Sequence, residues 1–183
     1  MKFSAALCAI LLATGMHVRA AERPKKAEGT RTFPVALDRD FEFRKTKLYL
    51  LDPAPPAAKA SKLRSLNRTN NGADASIGFE RSYRAYGAVS GVESRQLFGH
   101  YYDFFWRAKR DAPVTVRLEY RQEKLRAFVQ AREVFYPHAR GSNKTEFRVI
   151  GDDFFDDGKI TAWRCLLIEE GRIVAENRSY LWD

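Results

Sequence analysis

Four cations stand close together in the run Lys59, Lys62, Arg64 and Arg68, with no acid between them. Such a run attracts polyanions electrostatically. Tyr101 and Phe105 lie two positions either side of Asp103, so on a strand they share one side and offer ring faces to a sugar or a protein partner. These six side chains are the candidate binding residues. Candidates for catalysis are poorer. Asp152, Asp153, Asp156, Asp157 and Gly158 have the composition of a calcium loop, but that loop needs acids at alternate positions before its glycine, and Phe155 takes the middle one. A hairpin turn is expected there instead. His100 and His138 are far apart and lack an accompanying Cys pair or nucleophile elbow. The two glycines of Gly87 to Gly91 are not followed by the Lys-Ser/Thr of a phosphate loop. The expectation is a chain without metal, cofactor or enzymatic activity. A carboxylate pair brought together by folding is the one route to catalysis that the sequence leaves open.

The bulk properties narrow the setting. Of 183 residues, the first twenty resemble an export signal: Lys2, an apolar stretch from Phe3 to Ala13, then Val18-Arg19-Ala20 before the cut. That stretch is too short for a permanent anchor, and no later segment is long and apolar enough to serve as one. Losing Lys2 and Arg19 lowers the net charge of +9 by two, which leaves a basic chain suited to anionic envelope polymers. Nucleic acid is not an expected partner of an exported protein. Cys8 leaves with the signal, so Cys165 stands alone in an apolar run, where a buried thiol is expected and no internal disulfide can form.

Residues 21–32 read as a flexible basic leader, and 33–183 as one domain. Phe33 to Leu37 predicts a short edge strand. Phe41 to Leu51 predicts a longer one, with a bulge or a passage from one sheet to another where its alternation changes phase near Thr46. Three prolines and the four cations make Asp52 to Gly72 a solvated crossover loop, with a short helix over Ala57 to Leu66 as the other reading. Ile77 to Val89 reads as a strand anchored by Phe79, Tyr83 and Tyr86. Tyr101 to Ala108 places Tyr102, Phe104, Trp106 and Ala108 in the core. Asp111-Ala112-Pro113 predicts a turn, and Val114 to Arg121 alternates so cleanly that one wet face is expected. Glu123 to Tyr136 fits a helix or a strand ending at Pro137, and its Val, Phe and Tyr favour the strand. A two-residue Glu170-Gly171 loop pairs Ile168 with Ile173 and sets Trp163 opposite Arg178, whereas a three-residue loop with Gly171 in a bulge shifts that pairing by one. The consecutive Leu166, Leu167 and Ile168 require cover on both faces.

Eight or so short strands with turns between them imply an all-β fold, a two-layer antiparallel β-sandwich. The runs Tyr102-Asp103-Phe104-Phe105-Trp106-Arg107, Val116 to Arg121, Val149 to Asp153, Ile160 to Arg164 and Ser179 to Trp182 resemble a family of uncharacterised bacterial exported proteins with an immunoglobulin-like sandwich. The resemblance covers about Phe98 to the end and implies fold and export, without an activity. The functional expectation is therefore a non-catalytic exported protein that binds or scaffolds an envelope or extracellular component, its partner a protein or an anionic polymer. The alternative is a carbohydrate-binding or glycan-hydrolysing domain that uses exposed aromatics and carboxylates.

Overall fold

The computed structural model describes residues 24–27, 32–53 and 71–182, with backbone alone for 71–77. The strands are β1 (Lys25–Lys26), β2 (Phe41–Leu51), β3 (Gly99–Gln122), β4 (Val129–Ile150), β5 (Ile160–Glu169) and β6 (Arg172–Arg178). The helices are α1 (Asn71–Arg84), α2 (Gly91–Leu97) and α3 (Asp152–Asp157). The fold is mostly antiparallel β, as the alternation implies. All six strands belong to one open sheet in the order β1-β4-β3-β5-β6, with β2 also paired to β3.

Six strands replace the expected eight because two are long, 24 residues in β3 and 22 in β4. The turn expected at Asp111-Ala112-Pro113 is absent, and β4 does not stop at Pro137. Both prolines sit where the β3–β4 register slips, between Ala108 paired with Gly141, Ala112 with Ala139, and Val114 with Tyr136. A bulge needs no ladder donor from proline, so the strands pass through it and bend there. The bend is large. A straight strand the length of β3 would reach about 80 Å. Yet the Nε2 of His100 at its start accepts a hydrogen bond, 3.0 Å long, from the Ile160 amide, and Ile160 is paired with Gln122 at its end. The Tyr102 and Phe104 rings likewise lie 5.8 and 5.5 Å from the Trp163 indole. The sheet therefore curls onto itself, and its inner surface encloses Tyr102, Phe104, Trp106, Val116, Leu118 and Cys165, each 3% exposed or less.

Bulges also divide β3 between two neighbours on one edge. Gly99 to Ala108 pairs with β2, and Thr115 to Gln122 pairs with β5. In the closing hairpin Glu170 (φ 48°) and Gly171 (φ 75°) form the two-residue turn, and Ile168 faces Ile173 as expected. A bulge beyond it pairs Leu167 with Ala175 and Arg164 with Arg178, so Trp163 does not face Arg178. Instead, Trp163 exchanges bonds with Ser179.

Three further expectations are corrected. Ile77 to Val89 is not a strand: α1 occupies Asn71–Arg84, and Phe79 and Tyr83 are exposed on it, with exposed Tyr86 in the turn that follows. Their spacing of four and three is helical, with Phe79 and Tyr83 stacked at 6.3 Å. The Asp-rich turn is α3, which ends at Gly158 (φ 87°). The presumed wet face of Val114 to Arg121 is covered, leaving Arg117 and Glu119 only 3% and 1% exposed. Phe33 lies under the Arg117 guanidinium, while Trp182 lies against those of Arg121 and Arg164. Phe33 also packs on Leu166, Ile168 and Ile173, which supplies the second cover that the Leu166–Ile168 triplet needs. Of the short strand expected at Phe33 to Leu37, one bridge forms, Val35 to Ile173. Within the expected leader, Lys25 and Lys26 pair with Glu133 and Arg132.

Burial of those charges is tolerated because they run as a ladder: Glu133 to Arg117 (2.6 Å), Arg117 to Glu119 (3.5 Å) and Glu119 to Arg164 (2.7 Å). Removing one partner of a buried pair strands the other. Glu119→Ala is expected to cost about 3 kcal/mol in urea unfolding, and adding Arg117→Met should recover a large part of it.

His100 carries the other prediction. It is half-buried between Tyr102 and Phe154, and loss of hydration lowers its pKa from 6.5 to about 4, with Asp52 pulling the other way. Its folded pKa lies below the unfolded value, so below pH 6.5 the unfolded chain takes up a proton that the folded chain refuses. Stability is full above pH 6.5, falls by about 3 kcal/mol toward pH 4 and then levels off. His100→Gln should flatten that part of the stability–pH profile.

Candidate functional site

Because Tyr102, Phe104, Trp106 and Ala108 face the core, alternation sends Tyr101, Asp103, Phe105 and Arg107 to the outer side of the curled sheet. A register shift between Phe43 and Lys45 brings β2 into phase with them. The rows across β2, β3 and β4 then read Tyr49–Tyr101–Arg148, Lys47–Asp103–Glu146 and Lys45–Phe105–Lys144. Directly paired residues share a face, so these rows form one surface.

The surface is closed at one end and open at the other. Arg84, from the last turn of α1, lies 4.3 Å from the Tyr101 ring and 5.4 Å from that of Tyr49. It also reaches Glu80 at 3.3 Å and Asp103 at 3.8 Å. Tyr101 is consequently 3% exposed, and its hydroxyl donates to the Leu97 carbonyl. Burial raises its phenol pKa, with the Arg148 and Arg84 charges opposing. Tyr101 is therefore part of the packing under α1, and its expected stacking role does not hold. Asp103 is buried too, and ion-paired to Lys144 at 3.1 Å.

At the open end Phe105 is half-buried, its ring centroid 6.0 Å from Lys47 Nζ and 5.8 Å from Lys144 Nζ. Lys45, Lys47, Arg107 and Lys144 are all exposed. Lys144 is shared between Asp103 and Glu146, and the neighbouring Glu42 is taken by Arg44. Among the described residues, Lys45, Lys47 and Arg107 have no carboxylate partner. Strand spacing sets Lys45 and Lys144 about 10 Å apart, with the aromatic ring between them. The arrangement offers an apolar ring face inside a frame of cations. Such a frame suits a ligand that carries both carboxylate or sulfate groups and flat apolar surface.

The other candidates fall elsewhere. Lys59, Lys62, Arg64 and Arg68 lie outside the described residues. His138 is exposed beside Asp111 at the bend, far along β4 from the partner of His100. Three of the four α3 acids are engaged: Asp153 with Arg132, Asp157 with Gln130 and Asp152 with Arg95. No group of three His, Cys, Asp or Glu among the described residues is placed to hold a metal. Cys165 is fully buried, and burial raises its thiol pKa.

Of the open-end residues, the sequence singled out Phe105 alone. The alternation of Lys45 and Lys47 on a strand was a local signal for two more. Lys144 joins them only through the register of β4. The chain matches no protein-family model, no curated protein and no solved structure.

Proposed function

We propose that this is an exported, non-catalytic binding module whose outer sheet surface around Phe105 holds an acidic polysaccharide of the envelope or its surroundings. The observation that carries the reading is the set of exposed cations Lys45, Lys47 and Arg107, without carboxylate partners among the described residues, beside the half-open Phe105 ring. Exposed lysines that only kept the chain soluble would not need an aromatic ring at their centre. Acidic groups of the polymer lie on the cations, and the apolar face of a sugar ring lies on Phe105. Lys59, Lys62, Arg64 and Arg68 follow β2 in the chain and add charge of the same sign. The signal-like first twenty residues support export. The described helices include none long and apolar enough to cross a membrane.

The immunoglobulin-like, two-layer part of the fold belongs to this proposal, in the form of two halves of one bent sheet taking the places of two sheets. Contacts of Trp163 with Tyr102 and Phe104 support that form. A glycan-hydrolysing role has less support. Asp103 and Glu146 are cross-strand neighbours, but both hold Lys144, and Asp103 is 7% exposed.

Binding to polygalacturonate, measured by calorimetry at low ionic strength, provides the test. The triple variant Lys45→Ser, Lys47→Ser, Arg107→Ser should bind about tenfold more weakly, each exposed contact contributing about 0.5 kcal/mol. Phe105→Ala should weaken polygalacturonate binding and leave inorganic polyphosphate, which has no ring to stack, unaffected. Unchanged binding by the triple variant would remove the proposal.

A further inference from the structure

A helix on a protein surface ordinarily turns its apolar stripe to the core and its charges to water. α1 does the reverse. Its half-buried side carries Glu80, Arg81, Arg84 and Ala85, and Arg84 stacks on Tyr101 and Tyr49 while pairing with Glu80 and Asp103. Arg81 donates to the Asp52 carbonyl at 2.9 Å. These contacts of charged groups fix the rotation of the helix, and the rotation sends Phe79 and Tyr83 outward as a stacked pair. Tyr86 and Val89 follow in the link to α2, and Val92 lies in the first turn of that helix. All five are at least 69% exposed, and among the described residues nothing covers them.

An exposed apolar ridge of this extent signals a surface that meets an apolar partner or medium. Charge decides which. The net charge of +9 makes a second copy of the chain repulsive and an anionic lipid surface attractive. Beside the ridge no acid stands free among the described side chains to repel lipid phosphates. Glu80 is held by Arg84, and Glu93 accepts from the amides of Val89 and Ser90 in its capping box. The exposed Lys45, Lys47 and Arg107 lie on the same outer side of the sheet that α1 covers at its other end. A helix laid on a sheet stands about 10 Å above it, so the ridge projects beyond those cations. Tyr83 and Tyr86 also combine an apolar ring with a hydroxyl, the form that settles at the level of lipid headgroups.

We propose that the ridge from Phe79 to Val92 seats the protein on an anionic lipid bilayer. The aromatic rings and the two valines enter the headgroup region, and the surrounding positive charge holds the molecule there. α1 lies along the surface and does not cross it. The ridge shares no side chain with the Phe105 surface, so the inference stands apart from the polysaccharide reading.

The experiment is flotation of the folded protein with vesicles of equal parts phosphatidylglycerol and phosphatidylcholine, against phosphatidylcholine alone, at low ionic strength. The protein should float with the anionic vesicles and stay behind with the neutral ones. The double variant Phe79→Ser, Tyr83→Ser should bind the anionic vesicles about tenfold more weakly. Adsorption by charge alone would leave the ridge in water, so Phe79→Trp provides a second reading. Its added indole emission should move to shorter wavelength with anionic vesicles and be quenched by brominated acyl chains. No flotation, equal flotation with both vesicles, full binding by the serine variant or an unquenched indole in Phe79→Trp would each overturn the proposal. A dimer in vesicle-free solution that the serine variant abolishes would assign the ridge to a second copy and overturn it as well.

Discussion

The return of β3 onto its own beginning governs the rest of the molecule. Its two ends are fastened together by side chains and not by a ladder. His100 accepts from Ile160 N, while the fully buried Gln122 donates to the carbonyls of Asp153 and Gly158 at 2.8 Å each. α3 thus serves as a latch between the two ends of the long strand. Neutral histidine is required for the first bond, because only an unprotonated Nε2 can accept. Fold closure and loss of the His100 proton are consequently coupled at this point.

Curling decides which residues are inside. One face of β3 meets itself across the core through Trp163, and the other turns outward along its whole length. That outer face meets two fates. Near Gln122 it is sealed by Phe33 and Trp182 over the ion ladder of Arg117, Glu119 and Arg164. Near Phe105 it stays open, with cations in excess. Buried charges paired with one another give little net stability, whereas the exposed Lys45, Lys47 and Arg107 have no carboxylate partner among the described residues. The same curvature brings β2 toward β6 without joining them along their full length, which leaves a groove between the two strands.

Short-range pattern made much of this legible. The inward set Tyr102, Phe104, Trp106 and Ala108, the two-residue Glu170-Gly171 turn and the double cover of Leu166 to Ile168 all follow from period-two alternation and turn chemistry. Failures came where a local signal had two meanings. Phe79, Tyr83 and Tyr86 are β-formers at helical spacing, and spacing prevailed. Pro113 and Pro137 mark bends within strands, which look in sequence like ends of strands. Arg117 and Glu119 alternate as a wet face does, and the cover of Phe33 and Trp182 comes from distant parts of the chain. The site shows the same division. Lys47 and Phe105 lie far apart in sequence, and only the β2–β3 register makes them neighbours.

The direct test of this account is the nuclear Overhauser contact of the Trp163 indole. A curled β3 predicts cross-peaks from that ring to the rings of both Tyr102 and Phe104, in addition to its strand neighbour Tyr120. Cross-peaks to Tyr120 alone would mean an extended sheet, with the inner and outer faces assigned here left without foundation.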